Sequence, residues 1–229
     1  MRMSPALGVG HRVWLAVACA SLLAAPALAH AAGQAGEPTK RLTAADNRRA
    51  KSVVVRSSDL LASYRVDTTG TALPGIPHCE GYPGDRSGIR ITGSARAGFT
   101  NNSSTIGSTV TFFKSQRDLE TYWRKTVRAE YVTCFAQYYA TSRRTGVTAE
   151  TIEVRPIEVG PTGAGRIAAF RTVTRLSAEG VEPFDWHHTT VFVSTGRGLS
   201  MILVGSAYHA CDCYTGLATD AARRLRAAR

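Results

Sequence analysis

Cysteine and histidine residues cluster near the end of the chain, in the stretch HACDC at 209–213. Cys211 and Cys213 follow an apolar run and are one residue apart, whereas Cys79 and Cys134 lie elsewhere in the sequence. Thiols and imidazoles in this arrangement suit three chemistries: a metal site, a redox pair or structural disulfides. The compartment in which the chain folds decides among them, because thiols oxidise to disulfides in exported proteins.

The start of the chain has the three parts of a secretory signal peptide. Arginines supply the positive first part, and residues 13–23 form an apolar segment that is shorter than the roughly 20 residues needed to span a bilayer. Small residues then allow cleavage near Ala31. Anchoring through a lipid on Cys19 is disfavoured, because apolar sequence continues beyond that cysteine. We therefore expect residues 1–31 to be removed and the protein to be secreted.

Four cysteines remain after this cleavage, and an even number in an exported chain predicts two disulfides. One pairing is Cys79–Cys134 with Cys211–Cys213. The alternatives join Cys79 to one of Cys211 and Cys213, and Cys134 to the other. A bond within C-x-C is strained, because residues so close on an extended backbone reach the upper limit of Cα separation for a disulfide. The sequence leaves the pairing open.

A metal site and a redox pair are the weaker hypotheses for the same residues. The spacing H-x-C-x-C at 209–213 matches no structural zinc pattern, which has two to four residues between its cysteines. Redox thiols favour a helix N-terminus, and Cys213 does lie just before the predicted last helix. We therefore assign Cys79, Cys134, Cys211 and Cys213 to structural disulfides, and we predict no metal ion and no cofactor.

The stretch DWHH at 185–188 is the second candidate for chemistry. Asp185 and His187 could form an acid–base couple. However, His187 and His188 are neighbours on a predicted strand, so they point to opposite faces of the sheet and cannot both line one site. We expect both histidines at the surface or rim, where the strand begins, without a catalytic role. The sequence contains no nucleophile elbow, zinc-protease, P-loop or dinucleotide-binding pattern.

Hydrophobic periodicity gives the elements that position these residues. The capping-box stretch TAAD at 43–46 begins an N-terminal helix, and a Pro/Gly-rich loop at 68–88 carries Cys79. Two strands follow, and then a capping box at Ser115 opens the clearest helical pattern, at 115–144. The apolar stripe of this predicted long helix consists of Leu119, Trp123, Val127, Tyr131, Cys134 and Tyr138.

The rest of the chain predicts a run of strands and one more helix. The strands are expected at about 147–159, 165–176, 185–195 and 199–207, and the C-terminal helix turns Leu217, Ala221 and Leu225 inward. This order predicts an α+β fold with a twisted antiparallel sheet of about six strands. The long central helix and the N- and C-terminal helices are expected to cover one face of that sheet. Residues 32–42 are predicted to form a flexible leader, and residues 43–229 a single domain.

The chain carries a formal net charge of +11 at pH 7. Outside the cytoplasm, a basic excess favours anionic surfaces such as envelope polymers as partners. Nucleic acid is disfavoured, because export removes the usual target. After the signal peptide, no segment is apolar enough to predict a transmembrane helix.

Several stretches together resemble a known family. They are LTAADNRRAKSVVVRSSDL, the strand end TFFKS, GAGRIAAFRT and VFVSTGRGLSMILV, together with the positions of the cysteines. Over residues 43–229 the chain is similar to exported, sensor-like domains of actinobacteria related to the PknH-type extracellular domain. The resemblance implies a twisted antiparallel sheet flanked by helices, two disulfides and a cleft for an undefined ligand. The C-x-C pair departs from the family's usual spacing.

These observations predict a secreted, non-enzymatic domain of the bacterial cell envelope, sensor-like or ligand-binding, with a groove between the sheet and the long helix. The expected partner is a small ligand or an envelope polymer. The alternative is a secreted enzyme, either a thiol–disulfide oxidoreductase that uses Cys211 and Cys213 or a hydrolase that uses Asp185 and His187.

Overall fold

The computed structural model describes residues 36–67, 85–141, 146–160, 162–207 and 213–228. The predicted signal peptide and most of the Pro/Gly-rich loop with Cys79 lie outside these ranges. The helices are α1 (Ala44–Val53), α2 (Gln116–Thr126), α3 (Ala129–Thr141) and α4 (Tyr214–Ala227). The strands are β1 (Thr39–Lys40), β2 (Arg65–Val66), β3 (Arg90–Thr100), β4 (Ser104–Phe113), β5 (Val147–Ile157), β6 (Arg166–Ala178), β7 (Val181–Thr195) and β8 (Gly198–Ser206).

The described strands form one mixed sheet in the order β1-β3-β4-β8-β7-β6-β5, and β2 pairs with the C-terminal end of β3. Every neighbouring pair is antiparallel except β1 and β3, which run parallel through Thr39 and Lys40. The α+β prediction is therefore confirmed at this level. The sheet has eight strands instead of about six, because the two-residue strands β1 and β2 are too short to produce a periodic pattern.

Helices cover both faces of the sheet, and the prediction that they cover one face is wrong. On one face, Val191 and Val193 of β7 pack with residues of α1 and α4. On the other face, Phe192 packs with residues of α2 and α3. Strands buried on both faces have nearly continuous apolar sequence, as "MILVG" in β8 does. The prediction of a single helical layer did not take this run into account.

The predicted long helix is two helices. Helix α2 ends at Thr126, where the N–H of Val127 donates to the carbonyl of Trp123, and α3 begins at Ala129. The break redirects the chain, since α2 contacts β4 whereas α3 contacts β5 and β6. It also changes the buried face of α3. Cys134 is only half-buried and Tyr138 is exposed. Over residues 129–138, the buried side chains are Tyr131, Val132, Phe135 and Ala136.

Local sequence rules hold for the terminal helices. The hydroxyl of Thr43 accepts a hydrogen bond from the backbone N–H of Asp46 at the start of α1, which is the predicted N-cap. The expected inward residues of α4, Leu217, Ala221 and Leu225, are all at most 5% exposed. Helix α1 thus begins, and helix α4 faces the core, as the sequence predicts.

Two ion pairs connect the helices to distant parts of the chain. Arg197, in the turn between β7 and β8, contacts both carboxylate oxygens of Asp46 in α1, at 2.6 and 2.8 Å. Arg224 of α4 contacts both carboxylate oxygens of Asp59 at 2.5 and 2.7 Å. The arginine in each case lowers the pKa of the aspartate, so both carboxylates stay ionised in the folded protein.

Residues 36–42, which we call the N-terminal strap, run along the outer side of β3. The N–H groups of Thr39 and Arg41 donate to the carbonyls of Ile89 and Ile91, and the N–H of Arg86 donates to the carbonyl of Gly36. The segment treated in the sequence analysis as a leader thus contributes a short strand to the sheet. The domain boundaries proposed from the sequence stay predictions.

Candidate functional site

A cavity of about 400 Å³ lies between the sheet and the pair of helices α2 and α3. Strands β3, β4, β7 and β8 form its floor, the two helices form its roof, and the N-terminal strap closes one side. Ligand pockets in proteins have volumes of roughly 300–1,000 Å³. The cavity lies in the part of the fold where the sequence predicts a groove.

Most of the deep lining of the cavity is aromatic or aliphatic. The roof contributes Tyr122 from α2 and Tyr131 and Phe135 from α3, and the floor contributes Phe192, Leu199 and Met201. The hydroxyl of Tyr131 lies 3.8 Å from the sulfur of Met201, across the cavity from roof to floor. Flat rings and a flexible thioether adapt to an apolar ligand with little strain. The interior of the cavity is therefore suited to a hydrocarbon or aromatic group.

Polar side chains border the cavity along β3 and β4. Ser94 pairs with Thr111 and Arg96 with Thr109, so these four side chains lie on the same face of the sheet, the face under α2 and α3. The hydroxyl of Thr109 has no hydrogen-bond partner among the described residues. This side of the cavity thus offers hydrogen-bonding groups to a bound molecule.

A buried arginine, Arg86, contacts two residues of the cavity wall, one from the strap and one from α2. Arg86 is 1% exposed, and its Nη2 lies 2.5 Å from a carboxylate oxygen of Glu37, which lines the cavity. The guanidinium carbon is 5.9 Å from the ring centre of Tyr122, which also lines the cavity. Within the described part of the chain, Nε and Nη1 of Arg86 have no hydrogen-bond partner. Burial also raises the pKa of Tyr122, so its phenol stays neutral.

Arg86 and Glu37 are functional-site residues that no sequence pattern indicates. Arg86 falls in the turn-rich segment 68–88, and Glu37 falls in the predicted leader, so neither has a periodic neighbourhood. Their contact joins residues far apart in the sequence, which no local pattern reports. A charged residue flanked by Gly and Pro in a turn is normally exposed, and its burial follows from the path of the strap.

Asp185, the acid of the couple suggested by the sequence, is paired with an arginine in the structure. The carboxylate of Asp185 accepts two hydrogen bonds from Arg175 on the neighbouring strand, at 2.9 and 3.2 Å, and Arg175 lowers its pKa. The carboxylate of Asp185 is therefore engaged by a guanidinium, and His187 lowers its pKa to a smaller extent.

His188 is fully buried, so the expectation that both histidines lie at the surface or rim is wrong for this residue. Strand β7 begins at Val181, so His188 lies inside the sheet, between Thr172 of β6 and Gly205 of β8. His187 points to the opposite face and is half-buried. Burial, and to a smaller extent His187, lowers the pKa of His188 to about 3, so its imidazole is neutral.

Cys134 in α3 and Cys213 before α4 both take part in disulfide bonds. Cys79 and Cys211 lie outside the described residues, so the pairing of the four cysteines stays a prediction. Around the described positions, no three His, Cys, Asp or Glu side chains are grouped as a metal site would require. The weaker metal hypothesis concerned the stretch 209–213, which is described only at Cys213.

Comparisons with solved structures find distant similarities, including the two that follow. No protein-family model matches this chain, and no curated protein matches it. The chain is similar to the extracellular domain of PknH from Mycobacterium tuberculosis, with a TM-score of 0.43 and 10% identity over 84% of this chain and 99% of that domain. It is also similar to cyanobacterial PsbP from Synechocystis, with a TM-score of 0.36 and 11% identity over 67% of this chain and 78% of that protein. Neither similarity is close enough to assign a function.

Among the helices that the structure describes, none combines the length and the apolar character that crossing a membrane requires.

Proposed function

We propose that this protein is an exported, non-enzymatic, sensor-like domain of the cell envelope that binds a small ligand in the cavity under α2 and α3. The observation that carries the proposal is the cavity itself, which combines an apolar interior with hydrogen-bonding groups along one side. Pockets of this composition bind molecules that bury a hydrocarbon or aromatic part and orient through a few polar contacts.

The chemistry of the lining favours binding over catalysis. Among the lining residues that the structure describes, the ionisable groups are Glu37, Lys40, Arg96 and the tyrosines Tyr122 and Tyr131. Glu37 is paired with Arg86 and the phenol of Tyr122 is neutral, so neither is poised as a base. The acid–base couple suggested by the sequence contains Asp185, which is held by Arg175. These contacts support a role in recognition.

Two disulfides are part of the proposal. Cys134 lies in α3 between Tyr131 and Phe135, which both line the cavity, so a disulfide there fixes the roof. Cys213 lies directly before α4, which covers the other face of the sheet. Covalent bonds at both places would hold the two layers of helices in position in an oxidising compartment.

A neutral fluorescent probe tests the proposal. N-phenyl-1-naphthylamine is apolar and brightens when it leaves water, so titration with the mature protein should give one saturable site. Replacing half-buried Thr109 with Phe puts a ring into the cavity and should weaken probe binding at least tenfold. Thr148→Phe is the matched control, because Thr148 lies exposed on β5, outside the cavity lining.

The outcomes separate a cavity site from surface adsorption. Circular dichroism establishes that both variants keep the native fold. Equal probe affinity in Thr109→Phe, Thr148→Phe and the unmodified protein would place the probe outside the cavity and refute the assignment. Absence of saturable binding to the unmodified protein would do the same.

A further inference from the structure

We propose that the ligand is an amphiphile, with an apolar chain that ends in an oxyanion, and that the oxyanion replaces Glu37 on the guanidinium of Arg86. This inference rests on the proposed function and specifies its ligand class.

The first argument is the incomplete pairing of Arg86. A guanidinium carries five N–H donors, and leaving charged donors buried without acceptors is costly. Arg86 is 1% exposed, yet Glu37 supplies its one ion pair among the described residues, and Nε and Nη1 have no acceptor there. The ring of Tyr122 offsets part of this cost through its π face. A carboxylate or phosphate group offers the additional acceptor oxygens that this site lacks.

The second argument is the position of Arg86 relative to the cavity. Its guanidinium lies between Glu37 and Tyr122, and both of these side chains line the cavity. Glu37 is 38% exposed and belongs to the N-terminal strap, whose strand β1 has only two residues. A rotation of the Glu37 side chain toward solvent would open the guanidinium to the cavity without unfolding any helix.

The third argument is the charge around the cavity. Lys40 and Arg96 line it, and Arg86 lies behind its wall, whereas Glu37 is the one acidic residue among the lining side chains that are described. The balance of these groups is positive, which draws an anion toward the strap. The apolar surfaces of Phe135, Phe192 and Met201 receive the chain of the amphiphile.

Glu37 then acts as an internal competitor for the oxyanion. Removing its charge with Glu37→Gln should tighten binding of an anionic amphiphile, because the incoming oxyanion no longer displaces a carboxylate. Removing the guanidinium with Arg86→Gln should weaken it. A residue pair with a purely structural role would give a loss of affinity, or no change, in both variants.

Three probes with the same eight-carbon chain test this inference. Octanol, octanoate and octyl phosphate are compared by their displacement of N-phenyl-1-naphthylamine from the mature protein. A charged hydrogen bond in a buried site corresponds to about a tenfold or larger gain in affinity. We expect octanoate or octyl phosphate to displace the probe at a tenfold lower concentration than octanol, and the better of the two identifies the oxyanion.

The variants make the test specific to Arg86. Glu37→Gln should increase the affinity for the preferred anion about threefold or more and leave the affinity for octanol unchanged. Lys51→Gln also changes the net charge by one unit, at an exposed position on α1, and should alter neither affinity. Equal displacement by octanol and both anions overturns the inference but leaves the proposed function intact. Failure of all three to displace a bound probe also overturns the inference, whereas the proposed function is decided separately by the binding of the probe to Thr109→Phe. If Arg86→Gln does not fold, a loss of anion affinity in Glu37→Gln is sufficient to overturn the inference.

Discussion

His188 should make the stability of this protein depend on pH above the range in which most carboxylates titrate. The imidazole is fully buried inside the sheet, and burial lowers its pKa to about 3. In the unfolded chain a histidine has a pKa of about 6.5. Between these two values the unfolded state binds one more proton than the folded state, so acidification favours unfolding.

The size of the effect follows from the two pKa values. Its stabilising contribution is complete above pH 6.5 and is lost progressively as the pH falls toward 3, where the folded state also takes up the proton. Each pH unit inside this window costs about 1.4 kcal/mol of unfolding free energy. Between pH 7 and pH 4.5 the free energy of unfolding should fall by about 2.5 kcal/mol because of His188 alone.

Urea unfolding followed by circular dichroism at several pH values between 4.5 and 7 measures this dependence. His188→Gln removes the titrating group from the buried position, so its free energy of unfolding should fall less over the same range, by about the calculated amount. His187→Gln removes the half-buried neighbour and should retain the steep dependence. Both variants are compared with the unmodified protein at equal salt concentration, because surface charge contributes to the dependence of the unfolding free energy on pH.

Two results would refute this reasoning. One is an unfolding free energy that stays constant between pH 7 and pH 4.5 in the unmodified protein. The other is an identical slope in His188→Gln, which would assign the pH dependence to other groups. Either result means that the folded state admits a proton to this imidazole well above pH 3.

Three further predictions follow from close contacts, an ion pair and the cysteines. A Cβ at Gly93 would lie 2.5 Å from backbone atoms of α1, so Gly93→Ala should lower the unfolding free energy by about 1–3 kcal/mol. Gly216 in α4 has open space at this position, so Gly216→Ala should raise it by about 0.5–1 kcal/mol, and equal effects in urea titrations would contradict this geometry. Asp59→Asn leaves the partly buried Arg224 without its carboxylate and should lower the unfolding free energy by about 3 kcal/mol. A melting temperature within about 1–2 °C of that of the unmodified protein would contradict this prediction, because such a loss should lower it by more. The secreted protein should show no reactive thiol with a disulfide-exchange reagent in denaturant until it is reduced, and two or more free thiols would refute the disulfide framework.

The elements set by short-range rules could be predicted from the sequence. The Thr43 cap, the inward face of α4 and the four strands after 146 all depend on neighbours within a few residues. The turn between β7 and β8 contains Gly196 with φ of 60°, a backbone conformation that glycine adopts readily.

The break between α2 and α3 could not be predicted in this way. The apolar stripe through Leu119, Trp123 and Val127 continues in phase into α3, so periodicity alone favours one helix. The break depends on the strands under each helix. Helix α2 contacts β4, whereas α3 contacts β5 and β6 at the other end of the strand order. Such information resides in tertiary contacts.

The cavity was predicted in outline but not in composition. An amphipathic helix over a sheet indicates a groove, whereas the pairing of Glu37 with Arg86 depends on the path of the strap beside β3. A two-residue parallel strand leaves no periodic pattern, and its partner follows an irregular stretch. Sequence patterns therefore could not predict the charged part of the candidate site.

The sheet order has a consequence for the moment at which this protein can fold. Strand β8 lies between β4 and β7, and Ser104 of β4 pairs with Ser206 near the end of the chain. The hairpin of β3 and β4 therefore cannot join the strands that follow until nearly the whole polypeptide has emerged, whether from a ribosome or from a translocation pore. Because such distant pairing makes folding slow, the chain stays unfolded for longer after its synthesis.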